Sequence, residues 1–139
     1  MQMRRSFKTE QGFTLIELIF VLVCIALLSS WAWPNYQALM MRSHRASAQA
    51  ALLQAAHWLE RAASANGTYP KPSEIPASVL QTDGQRYTLS ADTAAQSYTL
   101  TATPVGWQVG DVCGRLTLNH LGVRGAQGGN PNAWQCWSR

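Results

Sequence analysis

An uninterrupted apolar run over residues 18–28 limits what this chain can fold into more than any other feature. With residues 13–16 before it and Trp31 and Trp33 after it, the stretch reaches about 20 residues, the length of a bilayer span. Arg4, Arg5 and Lys8 precede it. By the positive-inside rule they hold the N-terminus in the cytoplasm, and the two tryptophans suit the far interface. Everything beyond Pro34 then lies outside the cytoplasm. One residue breaks the pattern: Glu17 sits near the start of the apolar stretch. A carboxylate in lipid costs on the order of 2.5–3.5 kcal/mol even on the mild insertion scales, so Glu17 needs a partner.

Three readings of this segment compete. A secretory signal peptide would have this basic start and apolar middle, with a small-x-small site at Ser30-Trp31-Ala32. Bulky tryptophans crowd that site. A plain single-span anchor leaves Glu17 unexplained. The third reading places a processing point at Gly12-Phe13. The remainder of the 139-residue chain is enough for one modest domain. The net charge of +4 owes much to the first ten residues, so charge alone does not argue for a nucleic-acid partner. Of the three cysteines, Cys24 lies in the apolar run and behaves as a small apolar residue. Cys113 and Cys136 lie in the polar half, where a disulfide is the default if the compartment is oxidising.

The segment GFTLIELIFVLVCIALLSSWAWPNYQ, residues 12–37, closely resembles the N-terminus of type IV pilins. The resemblance implies that a prepilin peptidase cuts after Gly12, releasing a leader of residues 1–12, and methylates the new N-terminal Phe13. Glu17 then matches the glutamate at the fifth mature position. Cleavage creates an amine at Phe13, four residues before Glu17 and within helical reach of it. In the family that glutamate is also thought to meet the amine of a neighbouring subunit. Residues 13–33 would anchor the subunit in the membrane and later pack in the filament core. The implied partners are the peptidase, other major and minor pilins, the inner-membrane assembly machinery and the bilayer. The implied location is the inner membrane of a Gram-negative bacterium with a periplasmic head, then the surface pilus.

Helical pattern continues past the membrane. Leu52, Ala55, Ala56, Leu59, Ala62 and Ala63 recur at three- and four-residue intervals, with Gln49, Gln54, Glu60, Arg61 and Ser64 on the other side. Asn66-Gly67 is a stop signal. One helix over residues 13–65 would span roughly 80 Å at ~1.5 Å per residue. Pro34, at the head of its amphipathic part (residues 34–65), should bend or locally unwind it. The globular head, residues 66–139, then turns to period two. RYTLS (86–90), SYTLTATP (97–104) and GRLTLN (114–119) read as strands, and a short fourth begins at 123–125. A meander laid on the helix stripe is an α+β fold, the fold the resemblance also implies. The resemblance further implies a C-terminal disulfide loop closed by Cys113 and Cys136.

The C-terminal text CGRLTL with a final Cys136-Trp137 looks like the PilE-type minor pilins. The function so implied is a structural minor pilin needed for pilus assembly, twitching motility, adhesion and DNA uptake. The alternatives are a DNA-receptor minor pilin for natural transformation and a type II secretion pseudopilin. Major pseudopilins usually carry a calcium loop, whereas Asp83, Asp92 and Asp111 are scattered here. His44, His57 and His120 are far apart, so no catalytic constellation, metal site or cofactor is expected. Arg86, Arg115, Arg124 and Arg139, with Trp107, Trp134 and Trp137 for stacking, make DNA a further partner to weigh. The discriminating feature is whether those arginines gather on one face beside an exposed tryptophan. Met41, Arg42, His44 and Arg45 read as a basic patch for headgroups or neighbouring subunits.

Overall fold

The structure, a computed structural model, describes residues 12–129 and 132–138. The leader positions Arg4, Arg5, Lys8 and Glu10, and the terminal Arg139, lie outside the described residues. The chain forms two compact units, one through Ala38 and one from Leu39 onward. Helix α1, Leu15–Asn66, contributes to both.

In the first unit, α1 starts at a local cap. The Glu17 N–H lies 3.4 Å from the Thr14 hydroxyl and 3.1 Å from the Thr14 carbonyl. Thr14-Leu15-Ile16-Glu17 has the spacing of a capping box, and this contact is one half of it. Glu17 also stands in the first turn, where the helix dipole favours negative charge. From there the helix is apolar all round and exposed: Phe13, Leu15, Ile16 and Leu28 are each more than 70% accessible. Taken as Leu15–Ser30 and Asn35–Asn66, the two parts of α1 pass a length-and-hydropathy test for a membrane span only together; no single helix among the described residues does.

In the second unit, α1 lies against a four-stranded antiparallel sheet of order β1-β2-β3-β4. The strands are β1 Tyr87–Ala94, β2 Ser97–Pro104, β3 Arg115–Asn119 and β4 Arg124–Gln127. Register pairs Leu89 with Ala102, Ala102 with Leu116, and Leu100 with Leu118. These rows form the inner face. They meet Ala48, Leu52, Ala55 and Leu59 of α1 in one buried core. Each leucine so buried stabilises by about 1.5–3 kcal/mol before entropy is counted. The outer face carries Thr88, Ser90, Thr99, Thr101 and Thr117 on three adjacent strands, side chains that suit a solvated pleat.

After β4 the chain returns to a short helix, α2, Ala133–Trp137. Cys136 of α2 is bonded to Cys113, with Cα atoms 5.7 Å apart. The intervening loop passes so close to the strand entry that a Cβ on Gly128 would collide with the Val112 and Cys113 backbone. Cys24 is free. Among the elements without a sequence signal are α2 and the 3-10 turn Gly106–Gly110. Both are five residues long, too short for a period to show.

Candidate functional site

Three groupings of polar and aromatic side chains stand out in the second unit. The first fixes the 3-10 turn Gly106–Gly110 to α1. Asp111, only 1% exposed at its side chain, receives both Nε (3.0 Å) and Nη2 (2.7 Å) of Arg45. The Gln108 amide (2.9 Å), the Cys113 N–H (2.9 Å) and the Tyr87 hydroxyl (3.3 Å) donate to the same carboxylate. The Gln108 Nε2 is also 3.1 Å from the Met41 carbonyl of α1. Gln108 Oε1 is buried without a partner among the described residues. Burial, with Asp111 nearby, pushes the Tyr87 phenol up to about 12. Arg45 therefore does not belong to a basic surface patch as its sequence neighbours suggest. Gln49, placed by periodicity on the outer side of the helix, donates to the Cys136 carbonyl at 2.6 Å.

The second grouping is an arginine–tryptophan stack at the free edge of the sheet. The Arg124 guanidinium lies 5.3 Å from the centre of the Trp137 ring, within cation–π range. Trp137 is oriented by its Nε1–H, which donates to the Gly125 carbonyl at 2.9 Å. Trp134, three residues earlier on α2, is 67% exposed. Arg124, Trp134, Trp137 and Ser138 line an open cleft of about 320 Å³. The third grouping places Arg86 over the Trp107 ring at 5.4 Å, with His44 edge-on at 5.5 Å.

The three described head arginines thus do not form one cluster. Arg115 pairs in register with Gln127 and alternates with buried Leu116, so it lies on the outer face. Arg124 pairs with Leu118 and lies on the other face. Arg86 is at the end of the opposite edge strand. What the fold supplies instead is two separate arginine–tryptophan pairs, one beside an open exposed ring. Of the three acids weighed for calcium, Asp111 is committed to Arg45.

The family described as "Type IV minor pilin ComP, DNA uptake sequence receptor" matches residues 34–117, more than half of the chain. The chain belongs to the type IV minor pilin family. The prokaryotic N-terminal methylation motif matches residues 7–33. Among solved structures, a type IV pilin from Shewanella oneidensis is 32% identical, with a TM-score of 0.55 over 71% of this chain and 99% of that one. The non-core minor pilin PilV of Neisseria meningitidis is 24% identical, with a TM-score of 0.55 over 68% of this chain and 93% of that one, and shows the shared fold. No curated protein matches the chain. This minor pilin is membrane-anchored, as its methylation motif implies.

Proposed function

We propose that this minor pilin is a DNA-contacting subunit of its pilus, with Arg124, Trp137 and Trp134 at the contact. The observation that supports this reading is the exposed Trp134 ring beside a guanidinium already stacked on Trp137. A base gains about 1–3 kcal/mol by stacking on such a ring, and the guanidinium supplies the phosphate-seeking charge. The family match adds weight because the relatives it describes are DNA uptake receptors, although it ends at residue 117, before this platform. Arg86 and Trp107 lie within the match, but that ring already has a cation on its face and an imidazole at its edge.

In the same reading, prepilin peptidase cuts after Gly12 and methylates Phe13. Glu17 then meets a Phe13 amine when the subunit joins other pilins, and Pro34 is the point at which α1 bends. A mature chain starting at Phe13, found by N-terminal mass analysis, supports the processing; a start at Trp33 removes it.

The test of the DNA reading is a gel-shift titration of the full-length chain in detergent. Trp134→Ala and Arg124→Ala should each weaken binding by roughly 5- to 150-fold, following the stacking range above. Arg86→Ala should cost much less. A clean deletion, scored separately for surface piliation, twitching and transformation, places the role in the cell. Loss of transformation alone supports a receptor; loss of all three supports an assembly subunit.

A further inference from the structure

The cleft beside Trp134 does not end at Ser138. Ser138 also lines a larger cleft, of about 590 Å³, along α1. Arg42, Ala46 and Gln49 line it at four- and three-residue spacing, on one face of the helix. Among the described residues no acid lines either cleft. Arg45 is paired with Asp111, whose side chain is buried. Arg42 is exposed and is the other cation of the larger cleft. Arg124 also lines a third cleft, of about 210 Å³, with His57, His120 and Glu60. The Glu60 carboxylate there repels a phosphate. The acid-free path therefore leads from Arg124 past Ser138 to Arg42.

The chemistry at the Trp134 end narrows the form of DNA. An exposed indole ring recognises the face of a base, and a base offers its face only when it is unpaired and unstacked. Duplex readers instead lay a helix or a two-stranded ribbon in a major groove about 12 Å wide. Helix α2 has five residues, less than two turns at ~3.6 residues per turn. What it exposes beside Arg124 is an indole, 67% accessible. The cleft there, of about 320 Å³, is at the small end of ligand pockets, which run from about 300 Å³. It has room for one nucleotide and not for a duplex.

We propose that this subunit takes DNA as an unpaired strand. One base stacks on Trp134 with the Arg124 guanidinium beside it. The sugar–phosphate backbone then follows the acid-free cleft along α1, and a phosphate meets Arg42. A single strand bends into such a path far more readily than a duplex does. The inference rests on the DNA-contacting reading above and adds to it the strandedness of the ligand and the direction in which it runs.

The experiment uses the full-length chain in detergent, its disulfide intact, and two probes. One is a single strand of about 12 nucleotides, within the site sizes of single-strand binders. The other is a relaxed, covalently closed duplex circle, which has no ends to fray. Gel shifts are titrated at several salt concentrations. The single strand should bind roughly tenfold tighter per site or more, as one stacked base allows. Trp134→Ala should remove that preference. Arg42→Ala should reduce the slope of log affinity against log salt by about 0.7, one phosphate on a single strand, and Arg42→Lys should restore it. A circle bound as tightly as the strand, with Trp134→Ala weakening both, overturns the inference and leaves the DNA-contacting reading standing. An unchanged slope in Arg42→Ala overturns the path along α1. Binding that Trp134→Ala and Arg124→Ala both leave untouched, or no binding of either probe, overturns the reading and the inference together.

Discussion

The two halves of α1 share one backbone geometry and meet opposite fates. Residues 18–28 are apolar on every side, and their large side chains are exposed. Residues 48–59 are apolar only at three- and four-residue spacing, and that stripe is buried by the chain's own sheet. A stripe tells where a partner lies and how wide it is; an all-round apolar helix tells only that its partner is external. Ala48, Ala51 and Ala55 are small, so the sheet approaches closely and Leu52 and Leu59 fill the space between. The first half has no such alternation of large and small on one side. Its stability is borrowed from lipid first, and in the proposed account from neighbouring helices afterwards.

The sharpest way to break this comparison is at Arg45, which joins the second half of α1 to the turn at Gly106–Gly110. Arg45→Ala leaves the buried Asp111 without its ion-pair partner, a loss on the order of 3–5 kcal/mol. Denaturant unfolding of the purified full chain in detergent measures it. A loss below about 1 kcal/mol, the range of exposed pairs, would return Arg45 to the surface patch that its sequence suggests. Next in size is a matched pair of truncations. Leu59→Ala should cost about 2–5 kcal/mol in the same assay. Leu22→Ala, in the exposed half, should leave unfolding of the head unchanged. Equal effects would mean that the two halves are not energetically distinct.

The smallest effect is in pH. Burial raises the Tyr87 phenol from its ordinary 10.0 to about 12. The folded head then keeps a proton that the unfolded chain releases first. Stability from this site is whole below pH 10 and is lost as pH climbs through about 12. Tyr98, raised chiefly by burial and then by Glu60, acts in the same direction. Tyr87→Phe should flatten part of the decline; an unchanged decline would show that the phenol ionises no later than in the unfolded chain.

Much of the fold was legible because it obeys a period. The strands at 97–104 and 114–119 alternate strictly, and the structure has β2 and β3 there. Val123 precedes β4 by one residue, since pairing starts at Arg124. The unread parts depend on partners distant in sequence. Arg45 and Asp111 are 66 positions apart, and each alone looks like an ordinary charged surface residue. The residue types of the proposed DNA contact were named from sequence, but their division into two pairs depends on which strand face each arginine occupies. The Thr-Leu-Ile-Glu spacing also carries a local cap, made by the Thr14 hydroxyl and the Glu17 backbone N–H rather than by the Glu17 carboxylate.

Because the cap uses only the Glu17 backbone N–H, side-chain variants keep it and isolate the carboxylate, the subject of the central claim. Glu17→Gln removes the charge and keeps the size and polarity of the side chain; Glu17→Ala removes both. Both variants should insert in the membrane, since a lost charge eases burial in lipid. If the carboxylate is needed to neutralise the Phe13 amine, either change strands that amine in the filament core, at a cost on the order of 3–5 kcal/mol. The measurement is the ratio of subunit in sheared pili to subunit in the membrane fraction. The account predicts that both Glu17→Ala and Glu17→Gln stay in the membrane and are depleted from pili. Wild-type amounts of Glu17→Gln in pili would contradict it, and would show that the charge of Glu17 is not needed for docking.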